Sequence, residues 1–341
     1  MKGVKIFFFL LFLGAAGYGA WWFYGVFYKP GVHVQDDSPF VYVNTGMTMD
    51  ELTTMLSERK IVEDIEAFKS IAKLKKFEKP VAGRYRIQEG MNNRQLVNLL
   101  MSGKQEPVKF TFNEVRTKEQ LAGRVGGKLE ADSLDILQLL EDEAFIEKYG
   151  FNEHTILTLF LPATYEMKWN TSAEEFFELM AAEYKAFWTD DRRNRASAMG
   201  FTQSEVVILA SIVEAEQKRV AEERKRIAGL YINRLKKGMP LQSDPTVIYA
   251  LGDFSINRVL KSDLDVDSPY NTYRNTGLPP GPILLADKVS IDAVLQYEKN
   301  DYLYMCAEYG TGKHKFTKDY DVHLKNAREY QAALDKNDIK R

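Results

Sequence analysis

The sequence predicts an α+β protein carried by one N-terminal membrane-crossing helix, with a small strand–helix module first and a larger mixed domain built around a long central helix after it. Three observations lead there. An uncharged apolar run opens the chain, strand-like phrases then alternate with helix-capping signals, and an almost unbroken apolar helix sits in a second half rich in turn formers. With 341 residues, 45% of them hydrophobic, the chain can bury a substantial core in more than one domain.

Residues Ile6 to Phe27, IFFFLLFLGAAGYGAWWFYGVF, carry no charge and exceed the roughly 20 residues that a hydrocarbon core requires. Trp21, Trp22, Phe23, Tyr24 and Tyr28 crowd the far end as an interfacial belt, and Lys2 and Lys5 favour a cytoplasmic N-terminus, although Lys29 weakens that asymmetry. A cleaved signal peptide is the rival, because GYGA places small residues near Ala20. The run continues past that point and outlasts an h-region of about 7–15 residues, so a retained anchor over residues 1–28 is the expectation, with a linker over 29–40. No cysteine follows it, which excludes a lipoprotein.

From Val41 a pattern repeats. VYVNTGMTMDELTTML and YRIQEGMNNRQLVNLL share a strand-like lead, a glycine (Gly46, Gly90), a leucine (Leu52, Leu96) and an apolar pair after it. Each glycine permits a turn from strand to helix. Thr48 with Glu51, and Asn92 with Gln95, have the spacing of capping boxes. FTFNEVRTKEQLAGRV is a weaker third copy, with Thr117, Gln120 and Leu121 in the corresponding places but Val115 for the glycine. Between the first two copies, EAFKSIAKLKKFEKP reads as a basic helix with a solvated face, broken at Pro80. The module is assigned residues 41–106, either as scaffold or as a ligand-binding unit, and the larger domain residues 107–341.

That domain begins with the helical phrases LDILQLLEDEAFIEKYG and AEEFFELMAAEYKAFW around ILTLFLPATYEMKW. Its central helix opens with Thr202-Gln-Ser-Glu205, another capping box, and runs through ILASIVEAEQ to two carboxylates, Glu214 and Glu216. Either could cap the core in solvent. A carboxyl held against apolar neighbours instead has its charged form disfavoured and can donate a proton near neutral pH, which suits glycosidic-bond cleavage. Periodicity does not choose between the two. Downstream, LQSDPTVIYAL and SPYNTYRNTGLPPGPI hold oriented polar groups among turn formers. Gln242, Ser243 and Asp244 precede Pro245 in backbone biased to extended form, and Tyr270, Asn271 and Tyr273 offer hydrogen-bonding and sugar-stacking surfaces.

Composition narrows the rest. A net charge of -2 gives no sign of nucleic acid. The single cysteine, Cys306, rules out an internal disulfide and reads as a small hydrophobe in a strand. His33, His154, His314 and His323 lack metal-ligand spacing, and GTGKH lacks the glycine spacing and following Ser/Thr of a phosphate loop. Neither a metal nor a cofactor is expected.

Taken in order, ASIVEAEQ, YINRLKKGMPLQSDPTVIYAL, SPYNTYRNTGLPPGPI and HKF resemble the YceG-like family of endolytic murein (peptidoglycan) transglycosylases. The resemblance covers essentially the whole chain and is strongest from Leu209 to Ile283. It implies an anchor at the outer face of a bacterial inner membrane, a LysM-like small module, and Glu214, the glutamate of the ASIVE phrase, as catalytic acid/base. Gln242, Ser243, Asp244, Thr246, Tyr270, Asn271 and Tyr273 are assigned to a supporting or substrate-binding set around that glutamate, with purely structural roles as the alternative. Nascent peptidoglycan strands would be the substrate, a 1,6-anhydro sugar the product end, and cell-wall synthases the partners. Two places depart from the family pattern: Ala163 stands where an aspartate is usual, and Glu114-Val115 where a glycine is. A lysozyme-like hydrolase using Asp244, and a non-catalytic glycan-binding or assembly protein, are the alternatives.

Overall fold

The computed structural model describes residues 2–34 and 38–336; residues 35–37 of the expected linker lie outside the described residues. Helix α1, Lys2–Phe27, takes up the apolar run and is long and apolar enough to cross a membrane, a property that an N-terminal signal sequence shares. Its last turn does more than span. Val26 is buried in one cluster with Val32, Val41 and Leu52, and Phe27 packs against that cluster.

The chain forms two compact units. The first comprises Met1–Phe110 with the returning segments Lys128–Ala131 and Tyr165–Ser172. Strands β1 (Phe40–Val43) and β2 (Gly83–Arg86) pair antiparallel, Val41 opposite Tyr85, and carry α2 (Met49–Glu58), α3 (Ile65–Leu74) and α4 (Asn93–Ser102). Both expected capping boxes form. Thr48 N–H donates to Glu51 at 2.7 Å and Glu51 N–H to Thr48 Oγ1 at 3.3 Å, while Asn92 and Gln95 exchange two bonds of 2.9 Å. Gly46 and Gly90, at φ 80° and 77°, make the left-handed turns before them. Leu52, Leu56, Leu96 and Leu100 are fully buried, each contributing roughly 1.5–3 kcal/mol by area. On α3, Phe68 and Ile71 are buried whereas Lys69 and Lys73 are exposed, so the basic run is a solvated face.

The second unit comprises Thr111–Gly127, Asp132–Thr164 and Ala173–Arg341. The pair β3 (Val108–Thr111) and β4 (Thr164–Met167) lies where the chain passes between the units. Then follow α5 (Lys118–Gly126), α6 (Ser133–Glu141), α7 (Glu143–Glu147), α8 (Ala173–Phe187), α9 (Asp190–Ala198), α10 (Gln203–Glu216), α11 (Arg224–Lys236), α12 (Asp244–Leu251) and α13 (Lys288–Leu295). An antiparallel hairpin of β5 (Tyr304–Glu308) and β6 (Lys313–Thr317) and a last helix, α14 (Tyr320–Lys336), complete it. The third copy of the repeat belongs here and is altered. Thr117 caps α5 through Gln120 N–H, but Gln120 accepts from Arg116 N–H, and the left-handed residue is Glu114 (φ 53°), which leaves Val115 free to be buried.

Helix α10 is the centre of the second unit. Val206 to Val213 are all buried, and α11, α12 and α13 pack against it. Its Thr202–Glu205 capping box forms as expected. Gly229 lets α11 come close to the chain beyond α13: a Cβ there would lie 2.2 Å from the carbonyl oxygen of Glu298. Close packing from Val206 to Val213 leaves only the two end turns of α10 open to polar surroundings, and the C-terminal one carries the acids.

Candidate active site

Glu214 and Glu216 occupy that turn, two residues apart. A helix advances about 100° per residue, so the two side chains leave on nearly opposite faces and cannot share a cavity. Glu216 lines a cleft of about 530 Å³ together with Tyr231 and Arg234 of α11, and Gln242, Asp244 and Tyr273. Tyr304, His314, Tyr320, His323 and Tyr330, from β5, β6 and α14, also line it. Glu214 lines a separate pocket of about 220 Å³ with Arg116, Lys218, Arg224 and Asp287. The expectation that Glu214 stands among Gln242, Ser243, Asp244 and Tyr273 is therefore corrected: the carboxyl in their midst is Glu216.

The two oxygens of Glu216 have different fates. Oε1 accepts from Ser243 Oγ at 2.5 Å and from Tyr231 OH at 2.8 Å. No protein donor reaches Oε2 among the described residues. Burial pushes this carboxyl above its ordinary range, and the nearby charge of Asp244 adds to the effect; the two hydroxyl bonds oppose it without cancelling it. Asp244 is also raised by burial, against a 2.6 Å bond that Tyr273 OH donates to Oδ1. Burial and the Asp244 charge hold the Tyr273 hydroxyl far above its usual range, so it remains a neutral donor.

The surrounding chain explains this rigidity. Arg234, buried, fastens three carbonyl-type acceptors: Leu303 O at 2.8 Å, Leu241 O at 2.6 Å and Gln242 Oε1 at 3.0 Å. Gln242 itself adopts a left-handed backbone, φ 54°, at a cost of roughly 1–2 kcal/mol for a residue with a Cβ. Ser243 is extended, as expected before proline, but Asp244 is not: it is the first residue of α12, where Pro245 fits the first turn because no helix bond needs its missing N–H. Thr246 and Asn271 are buried behind the cleft. Thr246 Oγ1 donates to Ser243 O at 2.6 Å, and Asn271 ties together Leu264 O, Val266 O and Tyr273 N–H. Tyr270 is elsewhere, against Tyr249 and over Gly281, whose missing Cβ leaves room for the Tyr270 hydroxyl and His154 O.

Glu214 serves a different neighbour. Its Oε2 accepts the backbone N–H of Asp287 at 2.7 Å, and Asp287 caps α13 while pairing with the buried Arg224 at 2.9 Å. Burial raises the Glu214 carboxyl too, opposed by the Asp287 N–H bond. Between the two acids' faces, Gln217 ends the helix and donates to Glu223 at 2.6 Å, and Glu223 also holds His314 at 2.8 Å. Burial would raise Glu223, but the bonds from His314 and Gln217 outweigh it and keep its carboxyl low. This cluster fastens β6, the HKF phrase, to the end of α10.

Sequence reasoning did not single out Tyr231, Arg234 or the aromatic residues of β5 and α14, and it quoted His314 only within the HKF phrase and as a histidine without metal-ligand spacing. Tyr231 and Arg234 carried a usable signal, since residues three apart on a helix share a face. The others reach the cleft only through long-range packing. Among the described residues no cluster of three His, Cys, Asp or Glu side chains is arranged to hold a metal ion.

The sequence model of the YceG-like family matches residues 41–329. A relative named endolytic murein transglycosylase from Bacillus subtilis (strain 168) is 31% identical over 318 residues, which is 87% of this chain and 86% of the relative. One of the same name from Streptococcus pneumoniae serotype 2 (strain D39 / NCTC 7466) is 31% identical over 85% of this chain but only 58% of its own, longer length. A crystal structure of a yceG-like protein from Listeria monocytogenes has a TM-score of 0.58 and 32% identity, covering 84% of this chain and 97% of that one.

Proposed function

This chain belongs to the YceG-like family, and from that premise we propose that it is an endolytic murein transglycosylase whose single acid/base is Glu216. The observation that carries the assignment is the asymmetry of that carboxyl: Oε1 is pinned by Ser243 and Tyr231, and Oε2 is left to the cleft. A carboxyl raised by burial holds its proton until a substrate oxygen arrives.

The reaction follows from one such group. Glu216 gives its proton to the glycosidic oxygen that leaves C1 of an N-acetylmuramic acid residue. The C1–O bond breaks, its electron pair stays on the departing oxygen, and the sugar becomes oxocarbenium-like. The C6 hydroxyl of the same sugar then attacks C1, and its proton returns to the Glu216 carboxylate. A 1,6-anhydro end forms, and no water is consumed. Tyr273 on Asp244 and Arg234 on Gln242 keep the polar rim of the cleft in one arrangement.

A hydrolase using Asp244 is the second reading, because that carboxyl lines the same cleft. Burial works against the ionised Asp244 that this reading needs, while the bond from Tyr273 OH works for it, and the relatives of 31% identity are named transglycosylases. The transglycosylase reading therefore stands first.

Helix α1 serves in this proposal as a retained anchor, with the second unit on the outer side of a bacterial cytoplasmic membrane where strands emerge. Cell-wall synthases are the partners that such a location supplies, and cleavage there would end strand elongation. The test is mass spectrometry of sugar ends after the full chain, in detergent, meets purified peptidoglycan, with Glu216→Gln and Glu214→Gln beside it. The full chain is needed because Val26 and Phe27 belong to the packing of the first unit. Anhydro ends made by the parent and Glu214→Gln but not by Glu216→Gln support the proposal. Loss in Glu214→Gln alone returns the role to Glu214. Reducing ends point to a hydrolase, and unchanged glycans from the parent to a binding protein.

A further inference from the structure

The cleft has an acid end and an aromatic lining, and only the first is used by the chemistry above. Tyr304 of β5 stacks on His323 of α14 with centroids 5.2 Å apart and planes at 22°, and Arg234 lies 5.4 Å over the Tyr304 ring. Tyr304 is thereby held between neighbours. Tyr320, at the first turn of α14, meets Tyr304 at 5.5 Å and is 56% exposed. His323 adds no charge near neutral pH, since burial, helped by Arg234, disfavours its protonated form. An open ring with a fixed aromatic backing, itself uncharged, presents an apolar face suited to the C–H side of a pyranose, with the Arg234 guanidinium over the Tyr304 ring behind it.

We infer that Tyr320, backed by Tyr304 and His323, is a saccharide subsite of the cleft that holds one sugar ring of a glycan strand by stacking rather than by charge. This rests on the reading of the cleft as a glycan site. It adds a residue outside the motif phrases that determines how firmly a strand is gripped, a property that an enzyme cutting within a strand needs.

The test is the action of the full chain on peptide-free glycan strands, comparing the parent with Tyr320→Ala, Tyr320→Phe and Tyr320→Trp. Alanine is a good helix former and Tyr320 is exposed, so the fold is retained. Tyr320→Ala is expected to raise KM roughly 2- to 10-fold at nearly unchanged kcat, while Phe and Trp keep the parent value, and the difference persists in high salt. A parent-like KM for Tyr320→Ala overturns the inference, and so does a Phe variant that fails as Ala does, which would make the hydroxyl the contact. The acid assignment fails separately, through an active Glu216→Gln. Should the parent neither cleave nor bind these strands, the glycan reading of the cleft and the subsite fall together.

Discussion

The two sides of the last turn of α10 carry the same functional group under the same influence and use it differently. Both Glu214 and Glu216 are pushed above the ordinary carboxyl range, and burial is the leading cause in each case. On one side Oε2 of Glu214 satisfies a backbone N–H at the start of α13, and the carboxyl faces a small pocket shared with Arg116, Lys218 and Arg224. On the other, one oxygen of Glu216 is held by two hydroxyls and the second is spared, beside a cleft more than twice as large. A raised pKa is thus a poor marker of catalysis by itself. What separates the two sides is what the bonded oxygen holds, a backbone N–H for Glu214 and two hydroxyls for Glu216, and the size and lining of the space that the carboxyl meets.

The most direct way to break this comparison is to neutralise each acid with its isostere. Glu216→Gln is expected to lose activity by about 10²–10⁴-fold, the usual contribution of a positioned acid/base, with its fold retained by circular dichroism. Glu214→Gln is expected to stay within a few-fold of the parent. Comparable losses in both, measured as the rate of new anhydro ends, would erase the distinction.

A second contrast concerns stability. Glu214→Leu leaves the Asp287 N–H without its acceptor and is expected to cost roughly 1–2 kcal/mol in denaturant unfolding, whereas Glu214→Gln retains an acceptor. The sign of the pH dependence follows from the raised folded value. The contribution of the Glu214 proton is fully present below the unfolded value, near 4.5, and is lost as pH rises through the folded one. The parent should therefore lose stability relative to Glu214→Gln as pH climbs from about 4.5, and a flat difference would mean that Glu214 ionises in the fold as freely as in the unfolded chain.

On the cleft side, the hydroxyl bonds to Glu216 Oε1 favour its ionised form. Removing either, by Ser243→Ala or Tyr231→Phe, lets the carboxyl rise further. The first step requires the protonated acid, so the alkaline limb of the pH–rate profile should move to higher pH even as the maximal rate falls through looser positioning. A profile that drops without moving, or moves to lower pH, would assign these residues to packing alone.

How much of this could be read from the chain follows the range of the interactions involved. Capping boxes at Thr48, Asn92 and Thr202 span three residues, and each forms as its sequence spacing requires. The motif phrases also pointed to the right neighbourhood, since Gln242, Ser243, Asp244 and Tyr273 do gather at one carboxyl. Which carboxyl they gather at was not legible. Apolar residues surround both positions in the sequence, and the choice depends on whether α13 or the loop around Ser243 lies against each face. The aromatic lining was less legible still: Tyr304, Tyr320 and Tyr330 lie outside the motif phrases and reach the cleft by the return of a hairpin and a helix. Tyr270, conversely, lay in a motif phrase and proved to face Tyr249 and Gly281.

The smallest expected effect tests whether the two sides are independent beyond the helix they share. Thr202 caps α10 at the end far from both acids, its Oγ1 accepting from Glu205 N–H at 3.2 Å and its N–H donating to Glu205 at 2.7 Å. Thr202→Ala removes the first bond and is expected to cost about 1 kcal/mol of stability. The eight buried residues from Val206 to Val213 lie between that cap and Glu216, so fraying of the first turn should not reach the last. Activity below the unfolding transition should therefore match the parent, and so should the pH–rate profile. A shifted alkaline limb in Thr202→Ala would mean that the setting of Glu216 depends on the helix moving as one rod, and the separation between the packing side and the cleft side would then belong to α10 as a whole rather than to its final turn.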